Sequence, residues 1–164
     1  MYAGHLTVTY AARGALKKQL PVLRPLYPLL LGALLPDVVD KPLAILFDYP
    51  GRCLAHSAVI LALGFFILFR LMPRHRETLA TVAVGAAFHL AEDWAQLNVL
   101  AWPLLGTWEY FPLQGIGENM LSFYRGEPHP YMFAVEVASW PLCLYYWLKA
   151  RVPSIAAPAE AQLP

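Results

Sequence analysis

Long apolar stretches separated by short basic turns dominate the polarity pattern of this chain. Residues 53–69 contain no charged side chain and are extended by residues 70–72, which predicts a helix that crosses a membrane. A second span is predicted over about residues 78–101, and a third over about residues 130–148 with a kink at Pro141. The pattern therefore predicts three full membrane spans.

Two further apolar segments near the amino terminus are too short to cross a membrane as helices. Residues 1–12 and 25–36 would each extend about 18 Å, against a hydrocarbon core of about 30 Å. Pro36 is suited to opening a new turn after the second segment. We therefore expect an all-α, polytopic helical membrane protein with three full spans and two short amino-terminal helical elements around a polar site. A single domain is expected over residues 1–152, with a disordered tail at 153–164.

Composition agrees with a membrane protein. Hydrophobic residues make up 59% of the 164 residues and charged residues only 14%, where soluble domains have about 25% charged residues. The formal net charge of +1 argues against a nucleic-acid surface, which needs a concentrated basic excess. Cys53 and Cys143 fall near opposite ends of their predicted spans, so no disulfide is expected.

The distribution of lysine and arginine predicts the orientation. Placing the basic turn at residues 73–76 in the cytoplasm also places the basic segments 13–24 and 149–151 there. The aromatic connection at residues 102–129 is then external. We expect a multi-pass protein of the bacterial or archaeal cytoplasmic membrane, with the lipid bilayer as its partner and its polar residues toward the outer face.

The stretch around His89 and Asp93 carries the strongest chemical signal. These residues are four positions apart, so on a helix both side chains reach toward one point, as metal ligands do. Buried carboxylates inside the hydrocarbon cost about 2.5 to 3.5 kcal/mol each. No lysine or arginine lies between Arg76 and Arg125, so only Lys41 or Arg52 could fold over Asp93. A divalent cation would offset this cost and use the histidines as neutral ligands.

Other polar residues fall at the same predicted depth, and we interpret them as one site. The candidate metal ligands are His5, Asp37, Asp40, His56, His89 and Asp93. Asp40 and Glu136 are the catalytic candidates, as general base or as the carboxylate that orients a ligating histidine. Glu92 points about 100° away from Asp93 around the helix, so we expect it to contact another helix.

The order of these motifs resembles a known family. The motifs are His5, Leu34-Leu35-Pro36-Asp37-Val38-Val39-Asp40, His56-Ser57, His89-x-x-x-Asp93 and Trp102-Pro103. Over about residues 1–105 they resemble the YdjM-like membrane-bound metal-dependent hydrolases, which are themselves distantly similar to zinc-dependent phospholipases C and zinc single-strand nucleases. The resemblance implies an all-helical metal site that hydrolyses an ester, including a phosphoester, and it does not identify the substrate. A site in the outer half of the bilayer beneath the aromatic connection suits an amphiphilic or lipid-linked substrate. The resemblance also implies one or two divalent ions, with zinc first and manganese or magnesium as alternatives.

Three side chains receive simpler interpretations. His75 in the basic turn is expected at the surface, and His129 is expected to mark a turn. Ser57 is interpreted as a helix cap or a supporting hydroxyl, because no Ser-His-Asp arrangement is evident. Two other functions fit the same polar residues: a membrane carrier or metal-transport protein, and a non-catalytic assembly protein whose buried polar groups hold its helices together.

Overall fold

The computed structural model describes residues 2–47, 52–93, 97–105 and 130–151, and all regular secondary structure in these ranges is helical. The α-helices are α1 (Tyr2–Leu16), α2 (Leu26–Phe47), α3 (Ala58–Leu71), α4 (Arg76–Glu92), α5 (Leu97–Leu100) and α6 (Pro130–Arg151). Short 3-10 turns lie at Pro21–Leu23 and Pro73–His75. The all-α prediction is confirmed. His129, most of the aromatic connection and the tail at 153–164 lie outside the described residues.

The second amino-terminal element differs from its prediction. α2 is a single helix of 22 residues that contains Pro36 and Pro42, so the expected break at Pro36 is wrong. Each proline removes one backbone donor and costs a helix interior about 3 kcal/mol. The helix continues because Pro36 is fully buried and α2 packs along α4. Packing therefore overrides the local preference.

The first two predicted spans are shorter in the structure, whereas α6 covers the whole of the third. α3 begins at Ala58, because Ser57 is its N-cap and its Oγ accepts a hydrogen bond from the Ile60 N–H. α4 ends at Glu92, with Asp93 as its C-cap. Among the described helices, none is both long and apolar enough to cross a bilayer alone. α3 and α4 meet that requirement by length and composition only as a pair, and the pair is bent by 112°.

α2 and α4 form the centre of the fold and cross at two glycines. A Cβ on Gly32 would overlap the backbone carbonyl of Val82, and a Cβ on Gly85 would overlap the carbonyl of Leu29. Only hydrogen at these two Cα atoms permits this approach, as at small-residue crossings of membrane helices. α3 packs on the outer side of α4 through Phe65, which contacts Val82 and Ala86.

α1 joins α2 and α4 on one side and α6 on the other. The Glu136 carboxylate of α6 accepts hydrogen bonds from the backbone N–H groups of Ala3 and Gly4, at 3.1 and 2.9 Å. These donors belong to the first turn of α1 and have no partner within their own helix. Thr7 adds a hydrogen bond from its Oγ1 to the Ser139 carbonyl at 3.4 Å. α6 therefore holds the first turns of α1 in place.

Large apolar side chains remain exposed on the outer helices. Phe66 and Leu71 of α3 are 55% and 73% exposed, and Trp140 and Leu144 of α6 are 54% and 55% exposed. Contiguous apolar surface of this kind is rare on soluble monomers and marks contact with a membrane or a partner.

Candidate metal centre

The predicted ligands meet where α1, α2, α4 and the segment 52–57 come together. All of them are almost fully buried: His56 is 1% exposed, His89 0% and Asp93 5%. The remaining predicted ligands are His5, Asp37 and Asp40, with exposures of 1%, 3% and 0%. Ionisable groups as deeply buried as these require partners, either from the protein or from a bound ion.

Asp40 organises the segment that carries His56. Its carboxylate accepts backbone N–H groups of Cys53, Ala55 and His56, at 2.8, 2.9 and 3.1 Å. It also accepts the His56 ring Nδ1–H at 2.7 Å. Because this loop bends around Asp40, His56 precedes α3, and its predicted place in the first turn of a helix is wrong. Both Asp40 oxygens are engaged, so Asp40 orients His56 instead of facing the centre.

His89 is fixed by the crossing of α2 and α4. Its Nδ1 lies 2.7 Å from the Ala33 carbonyl oxygen, and a carbonyl can only accept, so Nδ1 carries the proton. Ala33 follows Gly32, and His89 lies one helical turn after Gly85. The close approach at the two glycines therefore sets the position of this imidazole. The Nε2 atom of His89 therefore carries a lone pair instead of a proton.

His5 is held in the same manner by a carboxylate on another helix. Its Nδ1 donates to Glu92 Oε2 at 2.7 Å, and its ring stacks on that of His89 with centroids 3.9 Å apart. The prediction that Glu92 contacts another helix is confirmed. Glu92 was not among the predicted site residues. Its position next to Asp93 in the sequence could have indicated that it belongs to the site.

Ring nitrogens of the three histidines lie close together. The Nε2 atoms of His56 and His89 are 3.2 Å apart, a distance at which they either share one proton in a hydrogen bond or bind a common cation. A ring nitrogen of His5 lies within 4.8 Å of ligand atoms of His89 and Asp93. Metal-ligating histidines typically donate their other ring N–H to a carboxylate or a carbonyl, and each of these three does so. The hydrogen bonds of the three rings therefore match the pattern of metal-ligating histidines.

Two carboxylates complete the donor set. Asp37 Oδ1 and Asp93 Oδ2 each lie 3.6 Å from His56 Nε2, and Asp93 Oδ2 lies 3.7 Å from His89 Nε2. Ligands about 2.1 Å from a tetrahedral zinc ion lie about 3.4 Å from one another. Two overlapping groups have all ligand atoms within 4.8 Å, namely His5, His89 and Asp93, and Asp37, His56 and His89. The donor spacing fits a divalent cation.

Two basic side chains form ion pairs with these carboxylates. Lys41 Nζ is 2.8 Å from Asp37 Oδ2. Arg52 Nη2 lies 3.4 Å from Asp93 Oδ1 and 3.3 Å from Oδ2. The expectation that Lys41 or Arg52 could fold over Asp93 is confirmed for Arg52.

Glu136, a predicted catalytic residue, has a different environment. It is 1% exposed, and its two oxygens accept the Ala3 and Gly4 N–H groups. Neither metal-ligand group among the described residues includes it. These contacts make Glu136 the cap of α1, because they bind the two residues that precede His5. Its catalytic role stays a prediction.

The remaining reactive side chains take supporting positions. Cys53 and Cys143 are both free thiols, as predicted. Ser57 caps α3 and donates its hydroxyl to the Trp102 carbonyl, which confirms its structural interpretation. His75 is exposed in the basic turn, also as predicted.

Comparison with known proteins adds one finding. A family model described as YdjM inner membrane protein matches residues 1–152 of the chain. No curated protein and no solved structure matches it.

Proposed function

Because the chain belongs to the YdjM inner membrane protein family, we propose that it is a membrane-embedded metal-dependent hydrolase. The observation that carries the proposal is the convergence of three imidazoles and two carboxylates in two overlapping groups, whose ligand atoms lie within 4.8 Å of one another. Each imidazole donates its Nδ1–H to a carboxylate or a carbonyl, which is the usual state of a zinc-binding histidine. Helix packing alone does not require it.

His5, His56 and His89 would hold the ion together with Asp37 and Asp93. Three nitrogen donors and two oxygen donors favour zinc over magnesium, since magnesium prefers oxygen ligands. His89 belongs to both candidate groups, so the arrangement suits one ion better than two. Manganese remains an alternative with the same donor set.

When bound, such an ion lowers the pKa of a coordinated water and polarises the ester oxygen of a substrate. The protein residues supply orientation and proton transfer. Asp40 holds His56, Glu92 holds His5, and the Ala33 carbonyl holds His89. Glu92 Oε1 is buried and accepts no hydrogen bond from the described residues. We assign it as the proton acceptor, because the oxygens of Asp40 and Glu136 are already bound by donors.

An apolar groove supports an amphiphilic substrate. It has a volume of about 440 Å³ and lies between α3 and α4, lined by Ala58, Phe65, Phe69, Ala86 and Leu90. Two of its lining residues are chain neighbours of residues of the centre, since Ala58 follows Ser57 and Leu90 follows His89. Its size falls within the range of about 300 to 1,000 Å³ that is typical of ligand pockets. A lipid phosphoester with its chain in this groove is the substrate class we propose.

Metal content provides the decisive test. We expect about one equivalent of zinc in the detergent-purified protein by mass spectrometry, and its loss in a His89→Ala, Asp93→Ala variant. His75→Ala is the matched control, because it removes an exposed histidine, and it should keep the metal. Hydrolysis of bis(p-nitrophenyl) phosphate should follow metal content.

Two results would separate the alternatives. If the wild-type protein takes up no zinc or manganese after reconstitution, the cluster is a set of helix-packing polar groups and the hydrolase proposal fails. If metal binds but no phosphoester or carboxylic ester is cleaved, the ion is structural or transported.

A further inference from the structure

Lys41 and Arg52 have an arrangement that metal binding alone does not explain. Lys41 contacts Asp37, and Arg52 contacts Asp93. These two carboxylates each approach the same atom, His56 Nε2, at 3.6 Å. The two cations therefore flank a single point in the centre, although one comes from α2 and the other from the segment that follows it.

The two basic side chains are also the exposed partners of their ion pairs. The side chains of Lys41 and Arg52 are 37% and 29% exposed, whereas those of Asp37 and Asp93 are each 3% exposed. The ammonium and the guanidinium are therefore the charges of these pairs that solvent can reach. Positive groups at the entrance of a site attract anions and hold them once they arrive.

We propose that Lys41 and Arg52 form an anion-binding pair that receives the phosphate group of the substrate. The inference rests on the proposed function, since it assigns the substrate class of that site. Without an ion, the two cations neutralise Asp37 and Asp93. With an ion, the carboxylates share their charge with it, and the cations can bond to phosphate oxygens.

The chemistry of the two side chains fits a phosphate better than a neutral ester. Arginine presents paired N–H donors that match two phosphate oxygens, and lysine binds phosphate as a point charge. A neutral carboxylic ester offers no negative charge to either group. The pair therefore favours phosphomonoesters or phosphodiesters among the possible substrates.

The alternative role is charge neutralisation alone, in which Lys41 and Arg52 serve only to stabilise buried carboxylates. Binding of inorganic phosphate to the zinc-loaded, full-length protein distinguishes the two roles. We expect the Lys41→Gln, Arg52→Gln variant to bind phosphate about 100-fold more weakly than wild type, about tenfold per cation. It should retain its zinc by mass spectrometry, because both changes leave the five ligands in place.

Two further variants keep the result interpretable. Lys18→Gln, Arg74→Gln removes the same charges from exposed positions in the two basic segments and should bind phosphate like wild type. Lys41→Arg, Arg52→Lys preserves both charges and should restore most of the affinity.

If the glutamine variant binds zinc and phosphate as wild type does, the anion-binding pair is refuted while the metal site stands. If phosphate binds as expected but no ester is cleaved, the pair stands and the hydrolase proposal fails. If the wild-type protein binds no zinc, both the hydrolase proposal and the anion-binding pair are refuted.

The source of the phosphate group is decided by competition. Glycerol 3-phosphate and a short-chain phosphatidic acid in the same detergent carry the same headgroup chemistry. Stronger displacement of phosphate by the phosphatidic acid assigns a lipid headgroup, and equal displacement assigns a soluble phosphoester. Either result supports the anion-binding pair, whereas displacement by neither contradicts it.

Discussion

Two helix pairs build the centre by different means. α2 and α4 approach until their backbones touch at Gly32 and Gly85, and this contact places His89 on the Ala33 carbonyl. α1 and α6 are joined by polar groups, with Glu136 binding the first turn of α1 and Thr7 bonding to Ser139. The first pair is held by close packing, whereas the second is held by hydrogen bonds.

The difference indicates how firmly each histidine is positioned. Backbone contact leaves almost no freedom to α2 and α4, so His89 is fixed by covalent geometry and packing. His5 depends on α1, whose first turn is tied to one buried carboxylate of α6. We therefore expect changes at the α2 and α4 crossing to abolish the centre, and loss of the Glu136 carboxylate that holds the first turn of α1 to weaken it.

The largest effect is expected from Gly85→Ala. The added methyl overlaps the Leu29 carbonyl, so α2 and α4 must separate, at a cost of about 3 kcal/mol or more. Thermal unfolding in detergent should shift strongly downward, and bound zinc should be lost. Gly64→Ala in α3 is the matched control: its Cβ meets nothing within 4 Å, and the change should stabilise the helix by up to about 1 kcal/mol. Equal melting temperatures for the two variants would contradict the proposed crossing.

A smaller effect is expected from Glu136→Gln. Glutamine keeps one oxygen for the Ala3 and Gly4 donors but loses the second acceptor and the charge, which should cost about 1 to 3 kcal/mol. His5 directly follows Gly4, so a looser first turn of α1 also displaces His5. The affinity for zinc should therefore fall by about tenfold. Isothermal titration with zinc measures this change, with Glu77→Gln on the exposed start of α4 as the control. Unchanged zinc affinity would show that α6 does not position His5.

The smallest effect is expected from Thr7→Val. The variant loses the hydrogen bond to the Ser139 carbonyl and the contact with Cys143, for about 0.5 to 1.5 kcal/mol of stability. Zinc content should not change, since Thr7 makes no contact with a ligand among the described residues.

Thr9→Val is the internal comparison. Thr9 Oγ1 is buried without a hydrogen-bond partner in the described ranges, so its removal should leave stability unchanged or raise it. The opposite ranking of the two variants in chemical denaturation would refute this assignment.

Much of the centre was predictable from spacing and polarity. His89 and Asp93 converge because a four-residue interval on a helix places two side chains on one face, and the structure keeps that relation although Asp93 itself caps the helix. The predicted ligands meet as one cluster because charged and imidazole groups in an apolar chain have few stable locations other than one another. The all-α class follows from the same polarity pattern, because apolar runs of this length favour helices.

Tertiary structure decided what each residue does within that cluster. Of the two roles predicted for Asp40, general base or support of a histidine, the structure shows the support of His56, because the segment 52–57 folds around the Asp40 carboxylate. Glu136 became the cap of α1, and Glu92 the partner of His5. α2 continues through two prolines because its contact with α4 outweighs their cost. Spacing along one helix fixes which side chains share a face, but the distance between helices depends on how closely their backbones pack, and here two glycines set that distance.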